Sequence, residues 1–151
     1  MTGQSIQNAL KAYGQIDLET SIMTASPVQL IVLLYEGAVA AISKAKGLLE
    51  QQQFAAKSEQ ISKAIGIIEG LTAVLDRDKG GEIAENLAAL YDYMKRRLLQ
   101  ANLQNDVAAL DEVASLLLGI NESWKELSGG GASRQVAQQG DVKSVLGRVS
   151  V

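Results

Sequence analysis

Three carboxylates, Glu82, Glu85 and Asp92, are the side chains of this chain most open to a metal or acid–base reading. Their spacing could gather two of them on one side of a helix. Yet none of the 151 residues is a histidine or a cysteine. That removes the imidazole base, the thiolate nucleophile, the thiolate zinc site, the haem ligand and the histidine-containing di-iron site of helical bundles. Acids in a first helical turn are also favoured by the helix dipole, so Glu82 and Glu85 read as helix-start residues. No glycine-rich phosphate loop or nucleophile motif is present. The expectation is a protein that is not an enzyme and that needs no metal or other cofactor.

The run Lys95-Arg96-Arg97 could bind phosphate or RNA. Asp92 stands four residues before Arg96, the spacing of a helical ion pair, and Arg97 lies close to an apolar seam. A net charge of −3 and a pI near 5.0 supply no basic field, so no nucleic-acid partner is expected. No apolar run reads as a bilayer span. The opening MTGQSIQNALKAYG lacks the apolar region of a signal peptide. A cytoplasmic protein without membrane insertion is expected.

The elements that must position these groups are helices. Aromatic residues make up 4% of the chain and there is one proline, which disfavours a strand-rich fold. Ser26, Pro27 and Gln29 form a capping-box start. Val28, Ile31, Tyr35, Ala38, Ile42, Ala45 and Leu49 follow at intervals of three and four, the spacing of a bundle seam. A second helix is expected from Phe54 to Arg77, with Phe54, Ile61, Ile65, Ile68 and Leu75 on its seam and Lys79-Gly80-Gly81 as its stop. A third starts at Glu82, with Ile83, Leu87, Leu90, Met94, Leu98 and Ala101 inward. Asn105 and Asp106 read as a turn and cap. The fourth carries Leu110, Val113, Leu117, Ile120, Trp124 and Leu127. Short connections force antiparallel neighbours. The pattern predicts an all-α, up-down-up-down four-helix bundle over residues 26–127, an N-terminal segment over 1–25, and a glycine-rich linker and flexible tail over 128–151.

Apolar surface is in excess of one seam. Leu30, Leu34 and Ala41 form a second stripe on the first helix, with Leu33 further round. Ala64, Ile67, Leu71 and Val74 repeat the pattern on the second. Either the bundle packs irregularly under the N-terminal segment, or the two stripes form a groove for another amphipathic segment. Gly66 and Gly70, one turn apart, suit either a close backbone approach or an exposed face free to vary. Tyr13 either staples its segment onto the bundle or belongs to a lid over the groove.

Ser26-Pro27-x-Gln29-Leu30-Ile31 with Leu34-Tyr35-Glu36-Gly37-Ala38 resembles the first helix of the flagellin-specific secretion chaperones, the FliS family. Gly80-Gly81-Glu82-Ile83-Ala84-Glu85-Asn86-Leu87 is similar in the same way, as are Leu90-Tyr91-Asp92-Tyr93-Met94 and Arg96-Arg97-Leu98-Leu99-Gln100-Ala101-Asn102. Ala12-Tyr13 and Trp124-Lys125 also fit, so the likeness covers about residues 9–127. It implies a cytoplasmic chaperone that binds the disordered C-terminal segment of flagellin, about 1:1. Covering that segment would prevent premature polymerisation, and the complex would pass to the flagellar type III export gate. The client would wrap the outside of the bundle, partly as helices, and no nucleotide or metal would be required. From the stripe geometry, Leu30, Leu34, Ile67, Leu71 and Val74 are the expected client contacts. The resemblance adds Tyr13, with Ile16, as part of the client-binding surface and lid.

Ser128–Val151 lies outside the likeness. Its Val142, Val145, Leu146 and Val149 are similar to the amphipathic end of a flagellin, which would make it an internal occupant of the groove. A plain flexible tail is the other reading. The alternative to a client chaperone is a structural bundle that self-associates through its extra apolar faces, or a secretion chaperone for a different client.

Overall fold

A computed structural model describes residues 26–129. Tyr13, Ile16 and the rest of the 1–25 segment lie outside the described residues, as do residues 130–151. Four helices follow one another: α1 (Pro27–Glu50), α2 (Phe54–Ala73), α3 (Arg77–Gln104) and α4 (Val107–Gly129). α1 packs on α2 and α4, and α3 packs on the same two. That closed ring of antiparallel neighbours is the expected up-down-up-down bundle.

Local chemistry sets the helix ends. Gln29 N–H donates to Ser26 Oγ at 3.2 Å and Ser26 N–H donates to Gln29 Oε1 at 2.7 Å, completing the capping box with Pro27 in the first turn. Asn105 takes the left-handed conformation that ends α3 (φ 52°), which asparagine tolerates. Asp106 Oδ1 then accepts from Ala109 N–H at 3.2 Å to start α4.

The second helix is shorter than its pattern suggests. α2 stops at Ala73 rather than Arg77. Asp76 accepts from Lys79 N–H at 3.0 Å, and this new cap opens the turn Arg77–Gly80 before the main run of α3. The two parts of α3 join across Gly81 at φ 52°, ψ −127°, a conformation essentially reserved for glycine. At Gly80 a Cβ would meet Ala84 Cβ at 2.7 Å. The glycine pair therefore shapes the entry to α3 rather than the end of α2.

The core lies between all four helices and includes Tyr35, Ile42, Ile61, Ile68, Met94 and Leu117. Because α1 faces two neighbours, its buried residues run from Gly37 through Leu34, Ala38 and Ala41 to Tyr35, an arc far wider than one seam. On α2 the buried stripe is Ala64, Ile67 and Leu71 together with Ile61 and Ile68, while Ile65 sits at its margin. Phe54, expected on the seam, is 48% exposed and lies with its ring 5.8 Å from Lys57 Nζ. Gly70 is buried, so an exposed face free to vary does not describe it. By length and apolar composition alone α1 could cross a bilayer, contrary to expectation. Its apolar residues instead serve two helix contacts at once and form the core.

Lys57 is a buried cation that the pattern does not announce. Its Nζ donates to Asn102 O at 2.9 Å and Asn105 Oδ1 at 2.8 Å, and Ser58 Oγ donates to Asn102 Oδ1 at 2.8 Å. The charge thus sits against the carbonyl end of α3, where the helix dipole favours it.

Across α3 and α4, Tyr93 Oη and Arg97 Nε both donate to Glu112, each at 2.6 Å. The Tyr93 hydrogen bond chiefly, and Arg97 after it, hold the Glu112 carboxyl below its ordinary pKa against the opposing effect of burial. A carboxylate with a lowered folded-state pKa adds stability above its unfolded pKa and loses it as the pH falls through the folded value. Glu112→Gln is therefore expected to flatten the acid limb of a urea-stability profile, and, because the same carboxylate raises the Tyr93 phenol pKa, to soften the alkaline loss as well. An unchanged acid limb would show that this solvent-screened cluster contributes nothing measurable. Arg96 pairs with Asp92 at 3.1 Å, the i,i+4 contact expected, and both residues are exposed.

Candidate functional site

At one end of the bundle the start of α1, the end of α2, the start of α3 and the last turns of α4 converge. Between them opens an apolar groove of about 330 Å³. Leu71, Val74 and Leu75 supply one wall, Ile83 and Leu87 another, and Ile31 and Trp124 approach from α1 and α4. Asp76, Lys79 and Gly80 form its rim. The early end of α2 accounts for the opening: Leu75 lies beyond the helix, and Ile31, Ile83 and Trp124 are only partly covered.

Behind the groove, Tyr91 lines the floor and shares a buried hydrogen bond with Tyr35, Oη to Oη 2.5 Å, the rings edge to face at 6.3 Å. Burial pushes both phenols well above their ordinary pKa, so each stays protonated and one donates to the other. The Trp124 indole is close enough to pull the Tyr35 pKa back somewhat, yet among the described residues its buried Nε1 has no acceptor in proper hydrogen-bond geometry. Removing one hydroxyl of the pair strands the other, whereas removing both strands neither. Tyr91→Phe is thus expected to cost about 1–3 kcal/mol, and Tyr35→Phe combined with Tyr91→Phe less than the two single changes added. A urea double-mutant cycle measures this; strict additivity would show that the hydroxyls do not depend on each other.

The structure divides the expected client contacts. Val74 is half-buried on the groove wall, and Leu71, buried, lines it from the same helix. Leu30 is half-buried at the start of α1, one residue before the lining Ile31. Leu34 and Ile67 are fully buried members of the core, so the picture of them as a free second stripe is corrected: the wide arcs of α1 and α2 place them inside. Spacing alone assigns Ile31, Leu75, Ile83 and Trp124 to seams and misses their part in an opening. The signal for it is the Asp76-to-Lys79 cap, which ends the seam of α2 early. Among the described residues no cluster of acids could hold a metal ion, and Glu82 and Glu85 stand exposed.

Comparison with known proteins gives this geometry its context. The family model for flagellar protein FliS matches residues 9–130. The flagellar secretion chaperone FliS of Salmonella typhimurium is 55% identical over 122 residues, covering 80% of this chain and 90% of the relative. FliSB of Pseudomonas aeruginosa is 44% identical over 120 residues, 80% of this chain and 95% of that protein. FliS of Bacillus subtilis is 37% identical over 122 residues, 81% and 87% of the two chains. A match that spans all four helices, at such identities, establishes that this chain belongs to the FliS family of flagellar secretion chaperones.

Proposed function

We propose that this chaperone holds the C-terminal segment of flagellin, one chaperone to one flagellin, in the cytoplasm. In this reading it keeps the segment from polymerising and passes it to the flagellar export gate. The observation that carries the reading is the apolar groove at the bundle end, walled by Val74, Leu75, Ile83 and Leu87. A groove of that character suits apolar anchors of an amphipathic helix. Leu30 extends the surface along α1, Leu71 forms the inner wall, and Leu34 and Ile67 belong to the buried core cluster that Leu71 shares. Tyr13 and Ile16 complete the contact from the N-terminal segment. Binding and release need no catalysis, no nucleotide and no metal.

A disordered client gives up roughly 2–5 kcal/mol or more in ordering when it docks, so apolar burial must supply the drive. Calorimetric titration of the full chain with the C-terminal segment of flagellin from the same organism tests this. Binding near one to one with a strongly negative heat-capacity change is expected. Absence of heat at several temperatures, with an unchanged NMR spectrum, would reject flagellin as the client.

The exposed Leu99, Leu103 and Leu118 favour a second reading, self-association through the outer faces of α3 and α4. A mass that rises with concentration in light scattering without client would support it.

A further inference from the structure

We propose that in the client-free protein the groove is occupied by this chain's own residues 142–149. The geometry begins with α4. Trp124 lines the groove, and the helix ends at Gly129, only about 7.5 Å further along the axis at 1.5 Å per residue. The chain beyond Gly129 is therefore released beside the opening. Thirteen residues later comes Val142. Even as an unconstrained coil, a stretch of that length has a root-mean-square span of about 20 Å. α4 itself, at 23 residues, is about 35 Å long. The near end of the bundle is in easy reach, and the far end is not.

The chemistry of the segment fits what it meets. Val142, Val145, Leu146 and Val149 recur at i, i+3, i+4 and i+7, one apolar side of a helical turn pair. Lys143 and Arg148 fall between them. Residues 130–151 carry Arg134, Lys143 and Arg148 against Asp141 alone. The groove rim and the start of α3 expose Asp76, Asp78, Glu82 and Glu85 against Arg77 and Lys79. Apolar side meets apolar groove, and a net positive segment meets a net negative rim. Tethering places the segment at a millimolar effective concentration, so a weak contact suffices to fill the site. The contact rests on the groove alone and not on the identity of the client.

The absence of cysteine from the whole chain permits a single probe. A nitroxide on Ser150→Cys in the full-length protein is expected to broaden the NMR signals of the Trp124 indole and of the Val74, Leu75 and Ile83 methyls. Adding Leu146→Asp and Val149→Asp should abolish that broadening and shift the fluorescence of Trp124, the one tryptophan. Unbroadened groove signals, or broadening indifferent to the two aspartates, overturn the proposal; so does a groove filled by residues 1–25, which leaves Trp124 blind to the tail. Broadening that reaches an isotopically labelled second copy in a mixed sample also overturns it, in favour of docking between molecules. The same double-aspartate chain should bind the flagellin segment several-fold more tightly, because the competent state is no longer masked. Failure of that peptide to bind either chain would remove the client reading, while the broadening would still decide where the tail sits.

Discussion

Leu34→Asp is expected to abolish the cooperative unfolding transition and most of the helical circular dichroism, not merely to weaken a binding surface. Leu34 is 1% exposed and sits on the arc by which α1 meets its neighbours. Truncating such a leucine to alanine already costs about 2–5 kcal/mol through lost transfer and a residual cavity. Aspartate adds an ionisable group inside the apolar core, and a buried polar group without a partner adds kilocalories of its own. A domain of this size is stable by roughly 5–15 kcal/mol in total, so the sum takes most or all of it. Ile67→Asp should behave alike, since Ile67 is fully buried on α2, which packs against α1. Thermal melts followed at 222 nm decide the matter. A Leu34→Asp protein with a midpoint within a few degrees of the parent would place Leu34 on a surface after all.

Why a sequence reading sets Leu34 and Ile67 on a second stripe beside the seam, where the structure buries them, is a matter of how wide an arc each helix buries. Heptad-like spacing fixes which residues share a face, but not how wide a face the bundle covers. Each helix here touches two neighbours, so Ala64, Ile67 and Leu71, which spacing sets on a second stripe of α2, are as buried as Ile61 and Ile68. Phe54 shows the opposite error: at the first position of its helix it projects beyond the layers that would cover it. Features governed by contacts within four residues are legible, among them the Ser26 capping box, the Asn105-Asp106 turn and the Asp92–Arg96 pair. Lys57 is not, because its acceptors are Asn102 and Asn105, brought to it only when α3 returns along α2. The groove belongs to the same class. It exists because Asp76 caps a turn where the apolar pattern of α2 still runs on, and only the folded chain brings Leu75, Ile83 and Trp124 to one opening.

That division separates stability from binding, and Val74→Asp tests the separation. Val74 is half-buried just past the end of α2 and lines the groove. In the free protein an aspartate there can turn toward water, so the fold should stay within about 0.5 kcal/mol, as surface changes usually do. In the complex the same carboxylate would be shut against an apolar client side chain. Burial of a polar group without a partner costs at least about 1–3 kcal/mol, and about 1.4 kcal/mol is a factor of ten in affinity. Affinity for the flagellin segment is therefore expected to fall at least tenfold by calorimetry while circular dichroism and melting midpoint hold. Val74→Ala supplies the graded control, since it shortens the wall without adding charge and should weaken binding less. Wild-type affinity in the aspartate variant would move the client off this end of the bundle. A collapse of the helical signal would instead make Val74 a member of the core, and the groove a feature of packing rather than of recognition.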